Sequence, residues 1–128
     1  MKNLIKEYDR LFSLYVRQKH SNGDVAKCAT CGEWHGWRHI HCGHFMPRQR
    51  YATRWDERNC LPQCCKCNTY NAGEQYKMGK AIDAVFGEGT AEAMEALSRI
   101  SYKLDKFSLD HKAKELKAKM LFLKMKIR

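Results

Sequence analysis

The sequence predicts an α+β protein: a small zinc-clamped core set between an N-terminal helix and a helical, lysine-rich C-terminal region. Three observations carry this. Two Cys-x-x-Cys knuckles, Cys28–Cys31 and Cys64–Cys67, bracket a histidine-rich segment long enough for two short strands. Ahead of them, apolar residues recur at helical spacing over residues 2 to 19; past Gly73 helical spacing returns and runs to the end. The boundaries drawn on this basis are 1–24, 25–75 and 76–128.

Taken in order, Leu4, Ile5, Tyr8, Leu11, Phe12, Tyr15 and Val16 form one apolar face of the first helix. Lys2, Lys6, Arg10, Arg17 and Lys19 lie around its other side, a secondary candidate for phosphate contact beside the helix's main task of packing on the core, and Ser21-Asn22-Gly23-Asp24 is a turn signal that ends it. Gly32, directly after the first knuckle, suits the tight turn that aims backbone amides at cysteine sulfur. Residues 33 to 45 alternate aromatic and histidine side chains (Trp34, His35, Trp37, His39, His41), which predicts a hairpin. Trp34, Trp37 and Trp55 are expected in the core. Residues 46–55 read as an exposed loop, and a short helix is expected to begin near Cys65.

Beyond Gly73, Met78, Ala81, Ile82, Val85 and Phe86 mark a helix closed by Gly87-Glu88-Gly89. Thr90 is placed to cap the next, with face Ala93, Met94, Leu97, Ile100 and Leu104. A last helix runs from about Leu109 to Ile127. Its Leu109, Ala113, Leu116, Met120, Leu123 and Ile127 alternate steps of four and three, a short coiled-coil seam open to the protein's own helices or to a second copy.

The composition, 44% hydrophobic and 30% charged, suits a folded domain. No apolar run approaches the ~20 residues of a membrane span, and the charged N-terminus has no signal-peptide core, so no membrane partner and a reducing, cytoplasmic setting are expected. There, seven cysteines favour metal ligation over disulfides. Twenty-four Lys and Arg against 14 Asp and Glu give a net charge of +10, which draws the chain to polyanions, nucleic acid first.

Cys28, Cys31, Cys64 and Cys67 have the spacing of a tetrahedral thiolate site for one structural Zn2+. Cys42, Cys60, Cys65 and His41 lie close enough in sequence to leave a different fourth ligand open; two matched knuckles are the simpler solution. Between the knuckles lies a second constellation. Phosphodiester hydrolysis needs a base to deprotonate water and a cation to stabilise charge on the phosphate. His44 is the candidate base, and His41 and Asn68 are candidate ligands for a catalytic Mg2+ or Mn2+, with Asn68 fixed by the adjacent Cys67. Residues 41 and 44 would face opposite ways in a regular strand, so Gly43 is expected to bend the segment until they converge. Asn59 is a candidate to brace the loop and orient His44. His20 and His111 read as surface or capping residues.

The layout Cys28-x-x-Cys31, Gly43-His44, Arg54, Asn59, Gln63-Cys64, Cys67-Asn68 and Gly73 resembles the HNH or His-Me finger (ββα-metal, endonuclease VII-type) nucleases, and within them the phage recombination endonucleases of the NinG/Rap family. The resemblance covers residues 27 to 75 well and residues 76 to 104 more loosely. It implies an HNH-like core, cleavage of branched DNA such as Holliday junctions, a homodimer because a four-way junction offers two symmetric strands, and work in a phage-infected or prophage-carrying bacterial cell. The family base falls on His44 and the metal-binding asparagine on Asn68. The family's aspartate, three residues before the base, falls on His41, which removes a negative charge and offers a softer ligand.

The leading reading is thus a structure-selective DNA endonuclease. Arg48, Arg50, Arg54 and Arg58 would hold phosphates near the cut, and tail lysines including Lys117 and Lys124 would extend the footprint. The alternative is a non-catalytic zinc-finger module that binds nucleic acid by charge. A third is an interaction protein dimerising through residues 109 to 127.

Overall fold

The computed structural model describes residues 1–128. Helix α1, Lys2–Lys19, buries Tyr8, Leu11, Phe12, Leu14, Tyr15 and Val16, so the stripe legible in the sequence is the one used, widened by Leu14. His20 caps its C-terminus through backbone bonds to Gln18 and Val16. Two small antiparallel sheets follow. The first joins β1 (Ser21–Asn22), β2 (Val25–Lys27) and β3 (Trp34–Gly36). The turn signal after α1 is therefore the tip of a two-residue hairpin loop, with Asn22 opposite Val25 and Gly23 at φ +66°. The second sheet pairs β4 (His41–His44) with β5 (Cys60–Gln63).

This corrects the hairpin expected over residues 33 to 45. β3 pairs with β2, and β4 takes its partner from beyond the arginine loop. The alternation breaks because Trp37 and Ile40 both turn inward at the corner between β3 and β4, where they join the main core cluster. Trp34 stays about half exposed, against the core placement expected for it, while Trp55 stacks on Tyr8 with ring centroids 4.6 Å apart. Gly43 also has a different role. Its φ is not in the left-handed region, and it pairs with Leu61 as an ordinary strand residue. A Cβ there would strike the Gln63 carboxamide oxygen and approach Gln63 Cβ to 2.8 Å. The position needs room, not a bend.

The arginine loop contains a short helix, α2 (Tyr51–Arg54), and a tight turn over Glu57–Asn59. After β5 the chain enters a wide helical turn, Lys66–Tyr70, closed by a bond from Asn71 N–H to the Lys66 carbonyl. It begins beside Cys65, as expected. Helix α3 (Gln75–Phe86) buries Met78 and Ile82 but leaves Val85 exposed. Helix α4 (Thr90–Ser98) stops short of the span expected: Ile100 is exposed and only Met94 of the expected face is buried. Thr90 does not cap it; its hydroxyl donates back to the Gly87 carbonyl, and one first-turn amide, Ala91 N–H, is served by the Asp83 carboxylate.

Helix α5, Lys106–Phe122, settles where the seam goes. Leu109 and Ala113 pack on Tyr8, and Met120 on the cluster of Leu11, Phe12, Tyr15 and Val16. All of the seam but the exposed Leu123 is used within the chain, with α1 and α5 running side by side in the same direction. No helix is long and apolar enough to cross a membrane.

Candidate metal centre and basic cleft

The two knuckles meet. The sulfurs of Cys28, Cys31, Cys64 and Cys67 all lie within 4.8 Å of one another, with Cys31 and Cys64 3.7 Å apart. Four sulfurs at about 2.3 Å from one ion would sit about 3.8 Å from each other, so the cluster already has the size of a tetrahedral thiolate site. The local chain explains why. Gly32, at φ +81°, donates to the Cys28 carbonyl and closes the first knuckle, and Cys64 N–H donates to Cys28 Sγ at 3.3 Å. Ala29 N–H reaches the Pro62 carbonyl and ties the first knuckle to β5.

The thiols are electrostatically frustrated without a shared cation. Burial raises the Cys28 pKa, but the Thr30 hydroxyl and the amides of Cys64, Cys31 and Thr30 outweigh it and hold the group down to about 6. At Cys31 the Glu33 amide favours the thiolate; desolvation and the neighbouring Cys28 and Cys64 sulfurs override it and push the group up to about 12. Charge placed on one sulfur excludes charge from the next. A divalent ion resolves this, and the donor set fits zinc.

Beside this centre, between α1 and the free edge of β4, lies a cleft of about 580 Å³. His41, Cys42 and His44 of β4 line it, with Asn68 from the helical turn, Asp9, Ser13 and Arg17 from α1, and Arg38, His39 and Arg48 from the flanking loops. Because it runs along the strand edge, side chains from both faces of β4 reach it, and no bend at Gly43 is required. The Asn68 amide nitrogen is 3.0 Å from His41 Nδ1. The helical turn that carries Cys67 into the four-sulfur cluster thus also carries Asn68 to His41.

His44 is held from the far side. Its Nε2 lies 3.0 Å from the Arg54 carbonyl. A carbonyl only accepts, so Nε2 bears the hydrogen and the neutral ring keeps its lone pair on Nδ1. Burial depresses the His44 pKa, the Arg54 carbonyl opposing this in part, so the ring is neutral near pH 7. Asn59 makes no hydrogen bond to His44. It is fully buried, accepts from Met46 N–H at 2.8 Å and donates to the Met46 and Thr53 carbonyls, both at 3.1 Å. Its effect on His44 is indirect: it fixes the loop that presents the Arg54 carbonyl.

The arginines divide. Arg54 is turned inward, its side chain 12% exposed and bidentate to Asp9 at 3.0 and 2.5 Å, with Trp55 Nε1 donating to the same carboxylate. Burial raises the Asp9 pKa, but Arg54 and Trp55 outweigh it and leave the carboxyl below its usual range. Arg58 is exposed and paired with Asp56 at 2.7 Å. Arg48 and Arg50 are exposed, Arg48 on the cleft rim. Lys117 and Lys124 are exposed and do not line the cleft.

Two cleft cations were not singled out for it from the sequence. Arg17, one of several cations on a helix face that the sequence offers as a secondary candidate for phosphate contact, donates to the Trp37 and Arg38 carbonyls and carries its charge to the cleft wall. Arg38 stacks over Trp37 at 4.4 Å. Arg17 lies three residues from Leu14 and four from Ser13, on a face that only the corner at residues 37–40 completes.

Cysteine knuckles clamped onto a two-strand ladder, with a histidine-lined, arginine-rimmed cleft alongside, define a small α+β protein whose four clustered sulfurs could hold a structural metal ion such as zinc. The family model described as Bacteriophage Lambda NinG protein matches residues 1–126, and the chain belongs to that family. Comparison with curated proteins and with solved structures returns no match.

Proposed function

We propose that the protein is a metal-dependent DNA endonuclease of the HNH, ββα-metal type that acts on branched DNA such as Holliday junctions. The observation that carries this is the pairing of His44 with the His41–Asn68 contact in one arginine-rimmed cleft. With Nε2 committed to the Arg54 carbonyl, Nδ1 of His44 takes the proton from an attacking water. Arg17, Arg38 and Arg48 bind the phosphate backbone and orient the scissile bond. A divalent ion held by His41 and Asn68 would neutralise charge on the phosphate and the leaving oxygen. In this reading β4, β5 and the Lys66–Tyr70 turn are the ββα core, and the four-cysteine zinc holds it closed. Since α5 spends its seam on α1, a homodimer matched to a two-fold junction would use another surface.

The test is cleavage of a labelled four-way junction and a linear duplex, in Mg2+ and in Mn2+, by wild type and His44→Ala. Paired symmetric cuts in the junction are expected, falling roughly 10²- to 10⁴-fold in the variant as for loss of a general base. His41 as ligand predicts higher activity in Mn2+ than in Mg2+. If both DNAs are bound and neither is cut in either metal, the non-catalytic zinc-module reading replaces this one.

A further inference from the structure

A second group of metal-ligating side chains lies apart from the four knuckle cysteines. Ligand atoms of Cys42, His44 and Cys60 all fall within 4.8 Å of one another. The β4–β5 register builds the group: Cys60 is directly opposite His44, and Cys42 is two residues along β4 from His44, so all three share one face of the ladder. Cys60 is fully buried and Cys42 lines the cleft, so the group opens to solvent on one side only.

We propose that Cys42, His44 and Cys60 form a thiophilic metal site, taking Zn2+, whose occupation shuts down the cleft. Two thiolates and an imidazole are a donor set for zinc, with the fourth position left to water; they are poor donors for Mg2+. Mn2+, the other ion proposed for the reaction, also prefers oxygen donors and binds such a set more weakly than Zn2+, so the site selects zinc over both. The consequence for His44 does not depend on which ring nitrogen coordinates. A neutral imidazole has one lone pair, and an ion that takes it leaves none to accept a proton from water. Zinc binding releases the two thiol protons to solvent and changes no oxidation state. The inhibitory part rests on the endonuclease reading; the metal site does not.

The experiment separates the two. Reduced protein carrying one zinc per chain is titrated with Co2+ and, separately, with Zn2+ against a chromophoric chelator. A second equivalent is expected in wild type, with a thiolate-to-cobalt charge-transfer band. In Cys42→Ala and in Cys60→Ala its affinity should drop by more than the roughly 100-fold that loss of an outer-sphere partner costs, while the first equivalent stays. Cys42 is on the cleft side of the strand, so Cys42→Ala tests the site even if Cys60→Ala misfolds. In cleavage assays, each protein is compared with its own zinc-free rate: Zn2+ in slight excess over protein should abolish Mn2+-supported cutting by wild type and spare that of Cys42→Ala. A single equivalent in wild type, or a second that survives both substitutions, overturns the site. A second equivalent lost as predicted, with no cutting under any condition, keeps the site and removes the endonuclease reading. Cutting by wild type that persists with the second zinc bound overturns the inhibitory role.

Discussion

The four-cysteine centre and the cleft share the same β4–β5 ladder and the same helical turn, yet they are held together by different means. The centre is made of two local motifs: each knuckle places its own sulfurs through backbone bonds within a few residues, and the long-range joints, Cys64 N–H to Cys28 Sγ, Ala29 N–H to the Pro62 carbonyl and Gln63 to the Thr30 hydroxyl, all dock one finished knuckle against the strand that leads into the other. The cleft is the reverse. His44 depends on the Arg54 carbonyl, Arg54 on Asp9 some 45 residues away, and the loop between on Asn59. A site written as local motifs depends on its ion; a site assembled from distant side chains depends on its buried polar network.

The largest expected effect tests the first half of that contrast. Apparent binding free energies of structural zinc sites are on the order of 10 kcal/mol, comparable with the whole stability of a small domain. Chelation, or Cys64→Ala, should therefore abolish cooperative melting of the core, which includes Cys28, Cys60, Cys64 and Cys67 alongside residues of α1. A melt unchanged by a strong chelator would show that the α1–α5 frame carries the fold unaided.

Second in size is the network. Asp9→Ala strands a guanidinium that is 12% exposed and removes the partner of Trp55, and should destabilise the chain by about 3 kcal/mol in a denaturant titration. Asp9→Asn gives the pH signature. The folded Asp9 pKa lies below its ordinary value, so the advantage of wild type over Asp9→Asn is complete above about pH 4. It fades as pH falls through the depressed value, because the folded carboxylate is then protonated too. An advantage that grows on acidification would contradict the pairing.

Third comes the ladder that both sites share. Gly43→Ala brings a methyl against Gln63, whose amide donates to the Gly73 carbonyl at 2.7 Å and to the Thr30 hydroxyl at 3.1 Å. Overpacking of this kind costs roughly 1–3 kcal/mol. Since Gln63 touches Thr30 on the zinc side and Gly43 precedes His44 on the cleft side, amide exchange should quicken in both β4 and β5. Quickening confined to one strand would argue that the two sites are not mechanically joined.

What the sequence made legible follows the same division. The knuckle spacing and the α1 stripe are local periodicities, and both stand in the structure. The helix expected past Ser98 rested on Ile100 and Leu104 continuing a pattern that the chain abandons there. β5 was hidden because Cys60-Leu-Pro-Gln63 is buried at every position, so it shows no alternation, and its partner lies across the arginine loop. Arg54 reads in sequence as one exposed cation among several; only the fold reveals the carboxylate that claims it. Arg17 reads as helix surface and becomes cleft wall once the residue 37–40 corner packs over it.

The smallest effect discriminates among those cations. Arg38 is exposed on the cleft rim and held by one stacking contact with Trp37, so Arg38→Ala leaves little behind in the fold. If it contacts a phosphate, DNA affinity falls only several-fold at moderate salt, but the slope of log affinity against log salt drops by about 0.9. Arg54→Ala should behave oppositely: its charge is already matched by Asp9, so the slope holds while stability falls. Equal slopes for wild type and Arg38→Ala would move the DNA footprint off this cleft, towards the exposed lysines of α5. The four-cysteine centre would then be the only part of the pair with its role intact.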